Sequence, residues 1–93
     1  MLFKMGQVFC TSGVATREEN DKDFEIFVLD CLYRHSTGDW GDMCEEDKAT
    51  NDGALSDGSR LFSSYIYKKD NTKIWVTTEA DRSSTTILFP DEY

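Results

Sequence analysis

The sequence contains one histidine, His35, and one proline, Pro90. A lone histidine does not convincingly complete a Ser-His-Asp set, and there is neither a glycine-rich phosphate loop nor a G-x-S-x-G elbow, so enzymatic activity is disfavoured. No apolar run approaches the ~18 residues a membrane span needs. Lysine and arginine total 10 against 18 acids. With a pI near 4.4, the chain lacks the basic clusters that dock on anionic lipid or on a phosphate backbone. Its three cysteines, Cys10, Cys31 and Cys44, form no C-x-x-C knuckle, and together with His35 they lie 21, 4 and 9 residues apart in order. This spacing fits neither zinc nor a disulfide framework. Lys4, Gly6 and Gln7 interrupt the opening segment, so it does not read as a secretory leader, and a reduced cytosolic protein is expected.

What is present is enough for one folded domain spanning 1–93. Residues are 39% hydrophobic and 13% aromatic, which supports a core despite 30% charge. Leu2, Phe3, Met5, Val8 and Phe9 read as a first strand with a bend at Gly6, followed by a loop from Thr11 to Thr16. Phe24, Phe27, Val28, Cys31, Leu32 and His35 recur at helical spacing, and Ile26, Leu29 and Tyr33 widen that stripe. Asn20 or Asp21 can cap this helix, with Glu18, Glu19 and Asp23 favourable to its dipole. Thr37-Gly38 ends it.

Asp42 and Glu45 resemble a capping box for a second helix over about 43–55, a weak one because Thr50, Asn51, Asp52 and Gly53 are poor interior formers. Leu61–Tyr67, the Asp70-Asn71 turn, Ile74–Thr78 and Thr85–Phe89 then read as three strands, the last stopped by Pro90. The expected fold is α+β: a four-stranded, mainly antiparallel sheet in the order β-α-α-β-β-β, with two helices on one face.

Charge is strongly polarised. Residues 18–57 hold thirteen acids against Lys22, Arg34 and Lys48, a net of −10, whereas the other 53 residues hold five acids and seven bases, a net of +2. Such a surface either meets a basic partner or keeps the protein soluble and apart from nucleic acid. Asp39, Asp42, Glu45, Glu46 and Asp47 gather around Trp40, without the D-x-[DN]-x-[DN]-G loop that would space ligands around calcium, so no metal is expected. Trp40 itself reads either as an anchor folded back on the core or as an exposed hot spot. Cys31 and His35, four apart on one helical face, would juxtapose thiol and base, yet both belong to the apolar stripe and no basic flank activates the thiol.

The runs Gly38-Asp39-Trp40-Gly41-Asp42, Glu45-Glu46-Asp47-Lys48, Ala54-Leu55, Ser63-Ser64-Tyr65, Lys73-Ile74-Trp75 and Thr78-Glu79-Ala80-Asp81-Arg82-Ser83 carry a resemblance. Continued by Leu88-Phe89-Pro90 and Glu92-Tyr93, the string resembles a family of small proteins carried on bacterial plasmids, phages and conjugative elements. Members are labelled plasmid-related or as the modification subunit of a type I restriction system. The second label does not fit a chain of 93 residues without an N/D-P-P-Y/F motif.

Small acidic proteins of such elements resemble anti-CRISPR and anti-restriction inhibitors. What the resemblance implies is a type II anti-CRISPR that binds a Cas9-type CRISPR effector, its guide complex, or another basic host protein in the bacterial cytoplasm, with no direct nucleic-acid contact. The alternative is a regulatory or maintenance protein of the element acting through a protein partner or as a homodimer, with strand addition as one route. Neither reading calls for a cofactor. From surface chemistry, the expected binding positions are Asp39, Trp40, Asp42, Glu45, Glu46 and Asp47, with Glu79 and Asp81 from the charged corner.

Overall fold

The computed structural model describes residues 1–93. Its elements run β1 Gln7–Cys10, α1 Ser12–Asn20, α2 Lys22–Ser36, α3 Glu45–Asp57, β2 Leu61–Tyr67, β3 Thr72–Thr78 and β4 Ser84–Leu88, followed by a short 3-10 turn, Pro90–Glu92. The α+β class and the four strands are as expected. The sheet is mixed rather than mainly antiparallel: its order is β1-β4-β3-β2, and β1 runs parallel to β4, Val8 facing Thr85. Both other pairings are antiparallel, with Ser63 opposite Val76 and Thr77 opposite Thr86.

Three helices form instead of two, because α1 replaces the expected loop. Its start is set by Thr11, whose Oγ1 accepts the Val14 N–H, and its anchor is Val14, fully buried. Glu18 and Glu19 therefore belong to the closing turn of α1 and do not assist the dipole of α2. Asp21 caps α2, its Oδ1 accepting the Phe24 N–H at 3.2 Å, and Asp23 and Glu25 lie in the first turn. The core combines Val14, Phe24, Val28 and Cys31 from the helices with Tyr65, Tyr67, Ile74, Val76 and Ile87 from one sheet face.

Helices α1 and α2 cover that face. Helix α3 instead lies beside the edge strand β2, where Trp40, Ala54 and Leu61 make a second cluster with Phe3, Met43 and Leu55. Ile26, Leu29 and Tyr33 do not widen the buried stripe of α2; they are 60–69% exposed and form a separate apolar line on its solvent side. On the opposite sheet face, Trp75 packs edge-on against Phe62 and Tyr93.

Candidate functional site

The segment between α2 and α3 is held by hydrogen bonds to the outer edge of β2. Gly38 and Gly41 take left-handed backbone angles (φ 85° and 78°), which turn the chain back on the sheet. A side chain at Gly41 would run into the Ser64 carbonyl and the Tyr65 ring. Ser64 donates to the Trp40 carbonyl at 3.2 Å, and its own carbonyl accepts from the Asp42 N–H at 2.6 Å. Asp42 Oδ2 accepts the Ile66 N–H at 3.1 Å. Asn51, from α3, completes the seal: its Oδ1 accepts the Phe62 N–H at 3.1 Å and its Nδ2 donates to the Phe62 carbonyl at 2.5 Å.

This lock uses several of the positions read as a binding patch. Asp39 accepts from Arg34 Nε at 2.7 Å and from the Gly41 N–H at 3.2 Å, and the Arg34 hydrogen bond holds its carboxyl below the usual range. The Asp39 carbonyl also receives the Tyr65 hydroxyl at 2.7 Å. Trp40 is 3% exposed, packed beside Phe3 and His35, and donates its indole N–H to Asp52 Oδ1 at 3.0 Å. It is therefore a core anchor, and the reading of Trp40 as a partner-facing hot spot is corrected by its burial. Asp42, committed to Ile66, makes no capping box; Cys44 is the N-cap of α3 and supplies no side-chain hydrogen bond.

Glu45, Glu46 and Asp47 remain. They occupy one exposed turn at the start of α3, with the Glu45 side chain 94% exposed and only Lys48 near it, at 3.8 Å. Glu79 and Asp81 lie elsewhere, in the β3–β4 turn. Glu79 pairs with Arg60 at 3.1 Å, and Asp81 accepts the Ser83 N–H at 3.0 Å. Arg82 ties that turn to the far end of α3 through the Ala54 carbonyl. Glu46 and Ala54 are ~12 Å apart along the helix axis, so the two acidic groups sit toward opposite ends of α3.

Beneath the lock is a buried polar chain. His35 is fully buried, with Nδ1 2.5 Å from Ser63 Oγ and Nε2 2.9 Å from Thr78 Oγ1. Thr78 and Thr85 hydroxyls are 2.7 Å apart, and Thr85 donates to the Met5 carbonyl at 2.7 Å. Burial, with Arg82 nearby, lowers the His35 pKa to about 4. Cys31 lies one turn before His35, fully enclosed, and burial raises its thiol pKa to about 12. Cys31 and His35 therefore share a face, as their spacing indicates, but it is turned to the core, where no substrate reaches it.

A shallow groove of about 380 Å3 runs between α2 and β2, with Phe27 and Ile66 beside Asp30, Arg34, Asp42 and Lys68. Its charges are mixed and its Arg34 is already held by Asp39. Sequence reasoning missed Asn51 and Asp52, which read as poor helix formers; polar residues inside a helix with no solvent-facing rationale were the signal that they bond elsewhere. No family model, curated protein or solved structure matches the chain.

Proposed function

We propose that this chain is a non-enzymatic inhibitor of the anti-CRISPR type, acting in the cytoplasm of a bacterial host. It binds a CRISPR effector of the Cas9 class, or its guide complex, by laying carboxylates against a basic nucleic-acid channel. The supporting observation is the turn Glu45-Glu46-Asp47: three adjacent, exposed acids at a helix start, none tied to another element of the fold as Asp39, Asp42 and Asp52 are. Carboxylates so placed attract a Lys/Arg-lined cleft, speed encounter, and occupy positions that phosphate would take. The wider net charge of −8 adds steering at low ionic strength.

Replacing Glu45, Glu46 and Asp47 by lysine is the test. Each rim pair contributes up to ~1 kcal/mol, so loss of the three is expected to weaken binding to the effector by up to ~150-fold and to flatten its salt dependence. A folded triple variant that inhibits fully removes this turn from the mechanism. The second reading, a regulatory protein of the mobile element working through an ordinary protein partner, draws support from the exposed Ile26, Leu29 and Tyr33 line on α2. Co-purification with candidate effectors, with and without guide RNA, separates the two.

A further inference from the structure

We propose that the open edge of β1 is the seat of a twofold dimer, in which residues 7–11 of two copies of this chain pair antiparallel and join their sheets into one. Gln7 donates to the Ser83 carbonyl at 3.0 Å and Thr11 to the Ile87 carbonyl at 3.1 Å, both toward β4. By the alternation of a strand, Phe9 also faces β4, and Val8 and Cys10 turn their N–H and C=O groups outward. Neither a side chain nor a loop meets them. The other edge is treated differently: Phe62, Ser64 and Ile66 all have their outward N–H groups occupied by the 40–51 segment. An unpaired edge without proline or charge is a template for another strand.

Geometry selects the register. With Phe9 opposite Phe9 of the second copy, Val8 and Cys10 face each other across the axis and exchange four backbone hydrogen bonds. A two-residue slip in one direction sets Cys10 against Gly6, whose φ of 66° breaks the strand. In the other direction Val8 meets Ser12, already inside α1. A one-residue slip points inward groups at the partner. The Phe9-centred register alone keeps all four bonds within β1. It also brings together two Phe9 side chains that are each 50% exposed.

Charge identifies the occupant as a second copy. Residues 1–17 contain Lys4 and Arg17 and no acid, while the segment with a net charge of −10 begins at Glu18 and runs along α2 and α3 to the β2 side. The strand itself carries no charge, so it sets no like charge of its own against a second copy and offers a basic partner no attraction. Glu18 lies near Cys10, and Glu92 is held at the end of the strand by the Thr11 hydroxyl and the Phe89 N–H.

Sedimentation velocity over a concentration series tests the proposal, and the expected species has twice the 10.7 kDa chain mass. Val8→Pro removes an N–H that points only outward, so it should leave the circular dichroism unchanged and raise the dimer dissociation constant at least ~30-fold. If that variant does not fold, Val8→Lys replaces it. Phe9→Cys, in a background with Cys10→Ser and Cys44→Ser, should form a disulfide-linked dimer under mild oxidation, because facing positions at the axis lie ~4.5 Å apart at Cα. A wild-type protein that stays monomeric at every concentration overturns the proposal. So does a wild-type dimer that persists unchanged in the folded Val8 variant and leaves Phe9→Cys uncrosslinked.

Discussion

His35 holds its proton on Nε2, and the Met5 carbonyl at the far end of the chain of hydroxyls decides this. A carbonyl only accepts, so Thr85 donates to it; Thr78 must then donate to Thr85, and Thr78 Oγ1 is left to accept from His35 Nε2–H. Nδ1 is bare and receives the Ser63 hydroxyl. Burial, with the Arg82 charge nearby, favours the neutral imidazole and drives its pKa down to about 4 from 6.5. Between those values the unfolded chain binds more protons than the folded one, so stability rises with pH across this window. Above 6.5 the contribution is complete, and it falls away toward pH 4, by about 3 kcal/mol in all. Urea unfolding at neutral pH and near pH 4.5 should show this loss, and in His35→Gln, less stable at neutral pH, the slope across the window should flatten to the smaller share left by carboxylates such as Asp39 and Asp70. Helical spacing was enough to put His35 on the buried face. Its partners Ser63 and Thr78 lie 28 and 43 residues away, beyond the reach of any local pattern.

At the scale of elements, α3 is a weak helix made firm by its neighbours. Thr50, Asn51, Asp52 and Gly53 are unfavourable inside a helix, yet the helix runs through them because Asn51 is clamped to Phe62 and Asp52 to Trp40. Asn51→Ala should cost ~2–4 kcal/mol, since it strands an N–H and a C=O on a strand edge that the helix itself shields from water. Glu46→Ala, on the same helix but without a partner, should stay within ~0.5 kcal/mol, and chemical denaturation compares the two. The spans of β2, β3 and β4 were legible because alternation and turn residues mark them directly, whereas the first strand, expected from Leu2, forms only over Gln7–Cys10, after the left-handed Gly6. Helix α1 was not, because one buried residue, Val14, gives no periodicity to read. The D-x-x-E spacing misled because a capping box is a local option, and Asp42 has a competing donor in Ile66, 24 residues on. The parallel β1–β4 pairing was equally invisible: alternation assigns faces to residues but does not name the neighbouring strand.

For the molecule as a whole, the charge imbalance was readable in advance, and the structure gives many of its carboxylates a partner while leaving Glu45, Glu46 and Asp47 as the densest exposed cluster. Six of the ten cations are engaged in ion pairs, none of them with a buried partner, so these pairs contribute little. The remaining carboxylates repel one another across a particle of 12.7 Å radius of gyration, comparable to the Debye length of dilute buffer. Added salt should therefore stabilise the protein, raising Tm by roughly 2–4 °C between low and physiological ionic strength in a thermal melt. The topology also sets an order in time. Strands β2, β3 and β4 join through short turns, whereas Gln7 must find Ser84 across nearly the whole described chain. Closing that long loop carries the largest entropic cost of the three pairings, so β1 is expected to join last, with the flank of β4 vacant until it does. In that interval β1 of one molecule can settle on β4 of another, which makes strand exchange the characteristic folding error of this architecture.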